Sequence, residues 1–287
     1  VGDPAQLPPI GPGLVLHALA GLTSVHQTEL KTVLRQSTES GIPQIAAAIR
    51  VHSKPAWMNS VTQLQSGVSF IQCEQSRIAD TIQDLYTRLG GTGSDYSVQV
   101  LSITNKGTAG VRDLNRRFHD VLQSNAEAVQ LFDPEQGVSP ATTLDGVPFA
   151  VGDLVMFTEN DYKLNLRNGS LGKISRRLVV AGPDEPCCVV EFDGIPVELS
   201  SRQMDKLVHS YAISVHKAQG NEFRRVIVAV KQSRLLDQAL LYTAVTRGVQ
   251  QVVLVGDESM ALSAISAPAS SHRRHTGLSD LIAERLA

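Results

Sequence analysis

Two short segments in the last third of the chain carry residue types suited to contact with phosphate groups. His216, Lys217 and Glu222 fall within residues 210–223 (SYAISVHKAQGNEF), and Arg247 closes the segment 242–247 (YTAVTR). A guanidinium group stays charged and presents a fork of donors that matches phosphate oxygens, whereas a lysine ammonium acts as a point charge. These residue types predict a site for a nucleotide or for a nucleic-acid backbone.

A third segment whose residues could bind a ligand opens the chain. Residues 2–9 (GDPAQLPP) form a loop that Pro4, Pro8 and Pro9 stiffen, and Gln6 lies in its middle. A loop at the carboxyl end of a strand is where α/β folds place ligand-binding groups. Gln6 is therefore a candidate ligand-binding residue.

The composition is that of an ordinary globular protein, with 42% hydrophobic and 19% charged residues in 287 positions. The formal net charge is −2, so contact with nucleic acid requires a local basic patch. Cys73, Cys187 and Cys188 lack metal-ligand spacing and the histidines are scattered, which predicts no metal site and a reduced, cytoplasmic setting. No apolar run approaches the ~18 residues of a membrane span, so we expect no membrane partner.

Alternating helix and strand patterns predict an α/β fold with a parallel sheet. The predicted helices cover residues 27–52, 76–89, 110–123, 210–218 and 235–246. The predicted strands cover residues 68–71, 98–103, 226–230 and 252–255. Between residues 141 and 206 the pattern changes to short β-like runs broken by turns, with Asn168-Gly169 and Asp193-Gly194 as hairpin signals. This region predicts a small antiparallel barrel inserted into the α/β domain.

The three segments resemble signature motifs of superfamily 1 helicases, and together they resemble the C-terminal part of a RecD-like DNA helicase (exodeoxyribonuclease V alpha-subunit type). The resemblance extends to residues 34–37 (LRQS), 151–156 (VGDLVM) and 274–278 (RHTGL), and so covers nearly the whole chain. It implies RecA-like P-loop-NTPase-type domains with ATP in the cleft between them, and an inserted Src-homology-3-like barrel. The implied division is residues 1–24 as the end of the first motor domain, 25–140 and 207–287 as the second motor domain with the tail, and 141–206 as the barrel.

The resemblance also implies roles for individual residues. Gln6 would sense the γ-phosphate or its attacking water, Arg35 would reach the γ-phosphate across the cleft, and Arg247 would be the arginine finger. These three are the expected catalytic residues. The expected ATP-binding residues are Gly2, Asp3, Gln6, Arg35, Gly220, Glu222 and Arg247, with Glu222 facing the ribose.

A second implied set contacts single-stranded DNA. Lys217 can pair with a phosphate, and His216 and Tyr211 offer faces for bases, all on an expected short helix. Tyr162 could stack on a base and Lys163 could meet a phosphate, although ordinary surface turns explain these two residues equally well. The full expected set is Thr104, Asn105, Lys106, Tyr162, Lys163, His216, Lys217, Gln219 and Thr243.

The motif that binds nucleotide phosphates in such motors is missing. Nothing in the sequence matches G-x-x-x-x-G-K-[ST], and residues 90–93 (GGTG) are glycine-rich but lack the lysine. No acidic Mg²⁺-binding strand precedes Gly2 either. We therefore expect a C-terminal part of a longer motor, in which ATP and Mg²⁺ both need an N-terminal half, and no ATPase activity for residues 1–287 alone.

The sequence thus predicts part of an ATP-dependent helicase or translocase that moves 5′ to 3′ on single-stranded DNA, with nuclease or recombination subunits as candidate partners. Two alternatives stay open. A nucleic-acid-binding module without motor function would keep the fold and need no arginine finger. An RNA helicase, or the helicase part of a conjugative relaxase, would share the motifs.

Overall fold

A computed structural model describes residues 2–9, 11, 13–30, 36, 38–62, 65–180, 182, 184–268, 274 and 277–286. The α-helices in this part of the chain are α1 (Val15–Ala20), α2 (Ile42–Arg50), α3 (Ile78–Arg88), α4 (Val111–Leu122), α5 (Ser201–Met204), α6 (Gln238–Val245), α7 (Glu258–Ser266) and α8 (Leu278–Leu286). The strands are β1 (Gly67–Gln72), β2 (Val98–Ser102), β3 (Gln130–Asp133), β4 (Gly137–Pro140), β5 (Leu154–Phe157), β6 (Leu171–Arg177), β7 (Pro186–Phe192), β8 (Ile195–Ser200), β9 (Leu207–His209), β10 (Ala212–Ser214), β11 (Phe223–Val230) and β12 (Gly248–Gly256).

A five-stranded parallel sheet with the order β1-β12-β11-β2-β10 forms the centre of the molecule. Its inner strands are buried on both faces, which explains their continuous apolar runs. Val226, Val228 and Val230 pack with α2, α6 and α7 on one face, and Ile227 and Ala229 pack with α3 and α4 on the other. The predicted α/β fold with a parallel sheet is confirmed.

Two of the predicted helices differ from the structure. Residues 210–218 form the short edge strand β10 followed by turns, because β10 pairs in parallel with residues 100–102 of β2. This short apolar run suits a strand as well as a helix, and the open sheet edge decides between them. The helix expected from residue 27 begins only at Ile42 in the described residues, where Gly41 has a φ of +71° and Pro43 occupies the first turn.

A second, five-stranded sheet with the order β8-β7-β6-β5-β9 is antiparallel and is called the insert sheet below. It has its own core, to which Phe149, Phe157 and Phe192 belong. Asp193 and Gly194 turn β7 into β8 with φ angles of +49° and +78°, as the Asp-Gly signal predicts. Antiparallel pairing also occurs in the β3–β4 hairpin before residue 141 and in β9 after residue 206.

Membrane insertion finds no support in the helices. Among the described residues, none of the helices combines the length and the apolar character that crossing a bilayer requires.

Candidate nucleotide and nucleic-acid interface

The loop formed by residues 2–9 is anchored on helix α6. The hydroxyl of Tyr242 donates to Oδ2 of Asp3 at 2.9 Å, and the backbone amide of Leu7 donates to the hydroxyl of Thr243 at 3.0 Å. Within the loop, Nε2 of Gln6 donates to Oδ2 of Asp3 at 3.3 Å. Because of these contacts, Gln6 is held beside the helix that leads to Arg247.

Arg247 follows the C-terminal end of α6 and its side chain is only 2% exposed. Its Nε donates to the carbonyl of Thr243 at 3.1 Å, and its Nη2 donates to the hydroxyl of Thr246 at 3.1 Å. Its Nη1 donates to the carbonyl of Asn221 at 3.2 Å, in the turn between β10 and β11. The guanidinium therefore joins the end of α6 to that turn.

Arg35, the other expected catalytic arginine, lies outside the described residues. Its neighbour Gln36 is described, and it is 6% exposed. Nε2 of Gln36 donates to the carbonyl of Gly248, the residue after Arg247, at 2.5 Å. Gln36 itself is thus fixed to the first residue of β12.

The turn after β10 carries the expected nucleotide-binding residues Gly220 and Glu222. Gly220 has a φ of +91°, a conformation that favours glycine, and Glu222 is exposed. Gln219, next to them, donates from Nε2 to the carbonyl of Leu7 at 3.3 Å. The structure therefore brings the turn, the opening loop and the end of α6 together, in agreement with the common location that the motifs imply.

Two expected strand contacts need correction. Thr243 has no exposed surface, because its hydroxyl accepts the Leu7 amide and its carbonyl accepts Nε of Arg247. It positions the loop and the arginine, and it offers no surface to DNA. Tyr211 is 1% exposed and donates its hydroxyl to Asp153 at 2.8 Å, so its ring has no free face for a base.

A cleft of about 800 Å³ separates the turn after β10 from the insert sheet. From the insert side it is lined by residues 167–173 with Glu191, Asp193 and Gly194, and from the side of the parallel sheet by Lys217 and residues 219–223. Nζ of Lys217 donates to Oδ1 of Asn168, so one hydrogen bond spans the cleft. Arg167, Lys173 and Lys217 supply positive charge, and Asp95, Glu191, Asp193 and Glu222 supply negative charge.

Partial burial shifts the pKa values of two candidate strand-binding residues beside the cleft. It lowers the pKa of Lys217. It also lowers the pKa of His216, against an opposing effect of the negative charge of Asp237. His216 is therefore neutral at pH 7 and can offer a ring face or one hydrogen bond, while Lys217 remains the cation.

The remaining expected strand contacts lie elsewhere on the surface. Asn105 and Lys106 are exposed in the loop between β2 and α4, and Thr104 is half-buried there. Tyr162 is 89% exposed and Lys163 is exposed, both in the loop between β5 and β6. The cleft is not lined by any of these five described residues.

A buried charged cluster that the sequence did not reveal joins the insert sheet to α4. Asp153 is fully buried, with its Oδ1 3.0 Å from Nδ1 of His119 and its Oδ2 3.1 Å from Nε2 of His209. The Tyr211 hydroxyl also donates to Oδ1, and the backbone amide of Ala150 donates to Oδ2 at 2.7 Å. Asp153 precedes the first strand of the insert sheet and His209 ends its last strand, so the cluster ties both ends of the insert to α4.

The charges of this cluster support one another. Burial alone raises the pKa of Asp153, but hydrogen bonds from His119 and His209, and their charge, bring it down to about 2. Burial lowers the pKa of His119, and the hydrogen bond and negative charge of Asp153 outweigh that effect, so its pKa is raised. An ionised carboxylate with four donors is thus the stable form.

The same three residues form a group with metal-ligand geometry, since their ligating atoms lie within 4.8 Å of one another. The sequence analysis expected no such group, because His119 and His209 lie 34 and 56 residues from Asp153. Each carboxylate oxygen already faces two hydrogen-bond donors, and a metal ion would have to displace them. The hydrogen-bonded cluster accounts for the geometry without a metal.

Tyr96 fastens the insert sheet at a second point. Its hydroxyl lies 2.9 Å from the carbonyl of Val155, 2.8 Å from that of Gly172 and 2.7 Å from the hydroxyl of Ser210. Tyr96 comes from the segment before β2, and its partners come from β5, β6 and the segment between β9 and β10. One side chain therefore fixes the wall of the cleft to the parallel-sheet domain.

Comparisons with known proteins identify relatives among DNA helicases. Residues 209–255 match the UvrD-like helicase C-terminal domain. The chain is 32% identical over 98% of its length to the ATP-dependent RecD2 DNA helicase of Deinococcus radiodurans, and 30% identical over 93% to the RecBCD enzyme subunit RecD of Mycobacterium tuberculosis. It spans 35% and 46% of these two relatives, which is less than half of each.

A solved structure shares the fold. The Pif1 helicase from Bacteroides, crystallised with ADP-AlF3 and single-stranded DNA, superposes with a TM-score of 0.54 over 95% of this chain and 64% of that protein. The sequences are 20% identical, so this likeness supports the arrangement of helices and strands alone.

Proposed function

Because this chain is homologous to RecD-type superfamily 1 helicases over nearly its whole length, we propose that it is the C-terminal motor region of an ATP-dependent DNA helicase or translocase. The observation that supports this proposal is a set of hydrogen bonds between the expected nucleotide-binding segments. Arg247 donates to Asn221, Gln219 donates to Leu7, and Leu7 donates to Thr243. These hydrogen bonds link the three segments to one another.

In this proposal the chain supplies one half of an ATP cleft. ATP would supply the phosphoanhydride bond that is cleaved, and Mg²⁺ would neutralise its phosphates. The donor set fits an anionic ligand, since Arg247 offers a guanidinium and Gln6 an amide. Gly2, Asp3, Gly220 and Glu222 belong to the same proposed site, as does Arg35, which lies outside the described residues. The chain by itself is expected to show no ATP turnover.

Arg247 requires one movement to act as an arginine finger. Its guanidinium now donates to two carbonyls and a hydroxyl and is almost fully buried. Closure of the cleft on ATP would exchange these acceptors for phosphate oxygens, which carry more negative charge and accept stronger hydrogen bonds.

Single-stranded DNA is the proposed track, with movement in the 5′ to 3′ direction. Lys217, His216 and Gln219 would contact it on the motor side, Thr104, Asn105 and Lys106 at the loop before α4, and Tyr162 and Lys163 on the insert. We assign the insert sheet to a small Src-homology-3-like barrel in the division 1–24, 25–140, 141–206 and 207–287, with β9 extending the sheet beyond residue 206. Its antiparallel order and separate core support this assignment.

The proposed setting is the cytoplasm, with roles in DNA repair and recombination and with nuclease or recombination subunits as candidate partners. The free cysteines among the described residues support a reducing compartment. The RecBCD subunit among the relatives supports a partnered role.

The test is Arg247→Ala in the intact parent protein. We expect nucleotide binding to persist while the turnover rate falls by about 10³-fold, the lower end of what arginine fingers contribute. Arg202, which is exposed and pairs with Asp184, provides the control variant Arg202→Ala. An unchanged turnover rate in Arg247→Ala would show that the arginine finger is misassigned.

A further inference from the structure

Lys231 is a buried lysine directly beneath the loop between β2 and α4. It follows the last residue of β11 and is only 6% exposed. Its Nζ donates to the carbonyl of Thr108 at 2.6 Å and to that of Lys106 at 3.4 Å. Burying an ammonium group costs free energy unless the group is hydrogen-bonded. The two carbonyls therefore stabilise the buried lysine, and the lysine fixes the orientation of the two carbonyls.

The backbone of this loop has an asymmetric hydrogen-bond pattern. Every carbonyl from residue 104 to residue 109 accepts a hydrogen bond from within the protein. The backbone amides of Val111, Arg112 and Gly110 donate to the carbonyls of residues 104, 105 and 107, respectively. The hydroxyl of Ser102 lies within hydrogen-bond distance of the carbonyls of residues 104 and 109, and the hydroxyl of Thr104 donates to that of residue 106. Lys231 donates to the carbonyls of residues 106 and 108. All six carbonyls are therefore turned toward the protein.

The amides between these carbonyls behave in the opposite way. In the described part of the chain, the backbone amides of Asn105, Lys106, Gly107 and Thr108 find no protein acceptor. The four residues are exposed, whereas the amide of Ala109, at the end of the loop, donates to Asp113 at 2.8 Å. Consecutive amides that face solvent present partial positive charge, which suits a phosphate oxygen.

We propose that Lys231 is a positioning residue for the strand-binding loop: it draws the carbonyls of Lys106 and Thr108 inward and so turns the amides of residues 105–108 toward a DNA phosphate. Lys231 does not touch the strand and acts through the loop. This inference rests on the proposed strand contact at Thr104, Asn105 and Lys106.

The alternative donors around the loop show why the lysine is needed. The carbonyl of Lys106 also accepts the Thr104 hydroxyl, but the carbonyl of Thr108 has Lys231 as its sole donor among the described residues. A Cβ at Gly107 would lie 3.6 Å from Nζ of Lys231, so the loop passes directly over the ammonium. Removing the ammonium leaves the Thr108 carbonyl without a donor among the described residues and the Lys106 carbonyl with the Thr104 hydroxyl alone.

The test is binding of a labelled oligo-dT strand to the 287-residue chain. We expect Lys231→Met to weaken binding about tenfold, the size of effect that loss of a charge-assisted hydrogen bond produces. Lys231→Arg, which keeps the charge and the donors, retains most of the affinity. Lys206→Met is the matched control, because Lys206 pairs with Glu159 on the insert at 3.2 Å.

A double-mutant cycle with Lys106→Ala separates positioning from general stability. Lys231→Met would displace the Lys106 side chain together with the loop amides, so part of its penalty is the loss of the Lys106 contact. The penalty of Lys231→Met therefore shrinks in the Lys106→Ala background; equal penalties in both backgrounds would overturn the inference. Lys231→Gln, which keeps a donor without the charge, takes the place of the Met variant if that variant does not fold.

The same variants distinguish failure of the positioning role of Lys231 from failure of the strand contact at this loop. Weaker binding in Lys106→Ala with unchanged binding in Lys231→Met would overturn the positioning role and leave the strand contact standing. Unchanged binding in both would overturn the strand contact at this loop, and the positioning role with it.

Discussion

Arg247 donates a hydrogen bond to the backbone carbonyl of Asn221 across 3.2 Å. Arg247 follows α6, and Asn221 lies in the turn between β10 and β11, so two segments separated by 26 residues meet at one guanidinium. Nε of Arg247 donates to the carbonyl of Thr243, whose hydroxyl holds the opening loop, and Nη2 donates to the hydroxyl of Thr246. An arginine with these contacts can report the state of one segment to the others.

The insert sheet should depend on the hydroxyl of Tyr96. Tyr96→Phe leaves the carbonyls of Val155 and Gly172 and the hydroxyl of Ser210 without this partner, and we expect a loss of about 1–2 kcal/mol in the free energy of unfolding. Urea denaturation measures this loss. Tyr162→Phe is the matched control, because Tyr162 is 89% exposed and should change stability very little. Equal effects of the two variants would contradict the assigned role of Tyr96.

Substitution of Asp153 should lower the free energy of unfolding more than substitution of most other positions in the chain. Asp153→Asn removes the negative charge between His119 and His209, and breaking a buried ion pair on one side costs about 3 kcal/mol. Asp184→Asn provides the comparison, since the pair of Asp184 with Arg202 is largely exposed and should contribute little. Urea unfolding of the two variants decides the point, and a small change in Asp153→Asn would show that the cluster does not stabilise the joint.

The same cluster predicts how stability depends on pH. The pKa of Asp153 falls from an ordinary value of 3.8 to about 2, so its contribution is present above pH 3.8 and is lost as the pH falls toward 2. The pKa of His119 is raised above its ordinary 6.5, so its contribution is present below pH 6.5 and is lost as the pH rises through the folded-state pKa. The cluster is therefore most stabilising between pH 3.8 and 6.5.

Urea unfolding measured below and above pH 6.5 tests the role of His119 in this pH dependence. His119→Gln should remove much of the fall in stability above pH 6.5, because no group with a raised pKa then remains at position 119. A wild-type chain and a His119→Gln variant with parallel pH profiles would contradict the role of His119.

Lys217 should contribute directly to strand binding. We expect Lys217→Ala to weaken binding of oligo-dT and to reduce the slope of log K against log salt by about 0.7, the value for one phosphate contact on a single strand. Titrations at several salt concentrations measure both quantities. Arg202→Ala, which removes a cation that does not line the cleft, should leave the slope unchanged. An unchanged slope in Lys217→Ala would place the strand elsewhere.

Sequence patterns predicted the parallel sheet because its buried strands have long apolar runs, and they predicted the meeting of Gln6, Gly220 and Arg247 through motif resemblance. They did not predict the burial of Thr243 and Tyr211, because a hydroxyl that binds DNA and one that holds a backbone amide have the same residue type. The partners of Asp153 are separated from it by 34 and 56 residues, and no local pattern records such a contact. Lys231 was missed for the same reason, since its acceptors are backbone carbonyls more than 120 positions away.

The central claim is that this chain is part of an ATP-driven motor. Single-turnover ATP hydrolysis by the intact parent protein, with and without a poly-dT strand, tests it most directly. We expect strong stimulation of hydrolysis by the strand and no turnover by residues 1–287 alone. Absence of hydrolysis in the parent, with salt-sensitive strand binding retained, would contradict the motor function and favour a nucleic-acid-binding module.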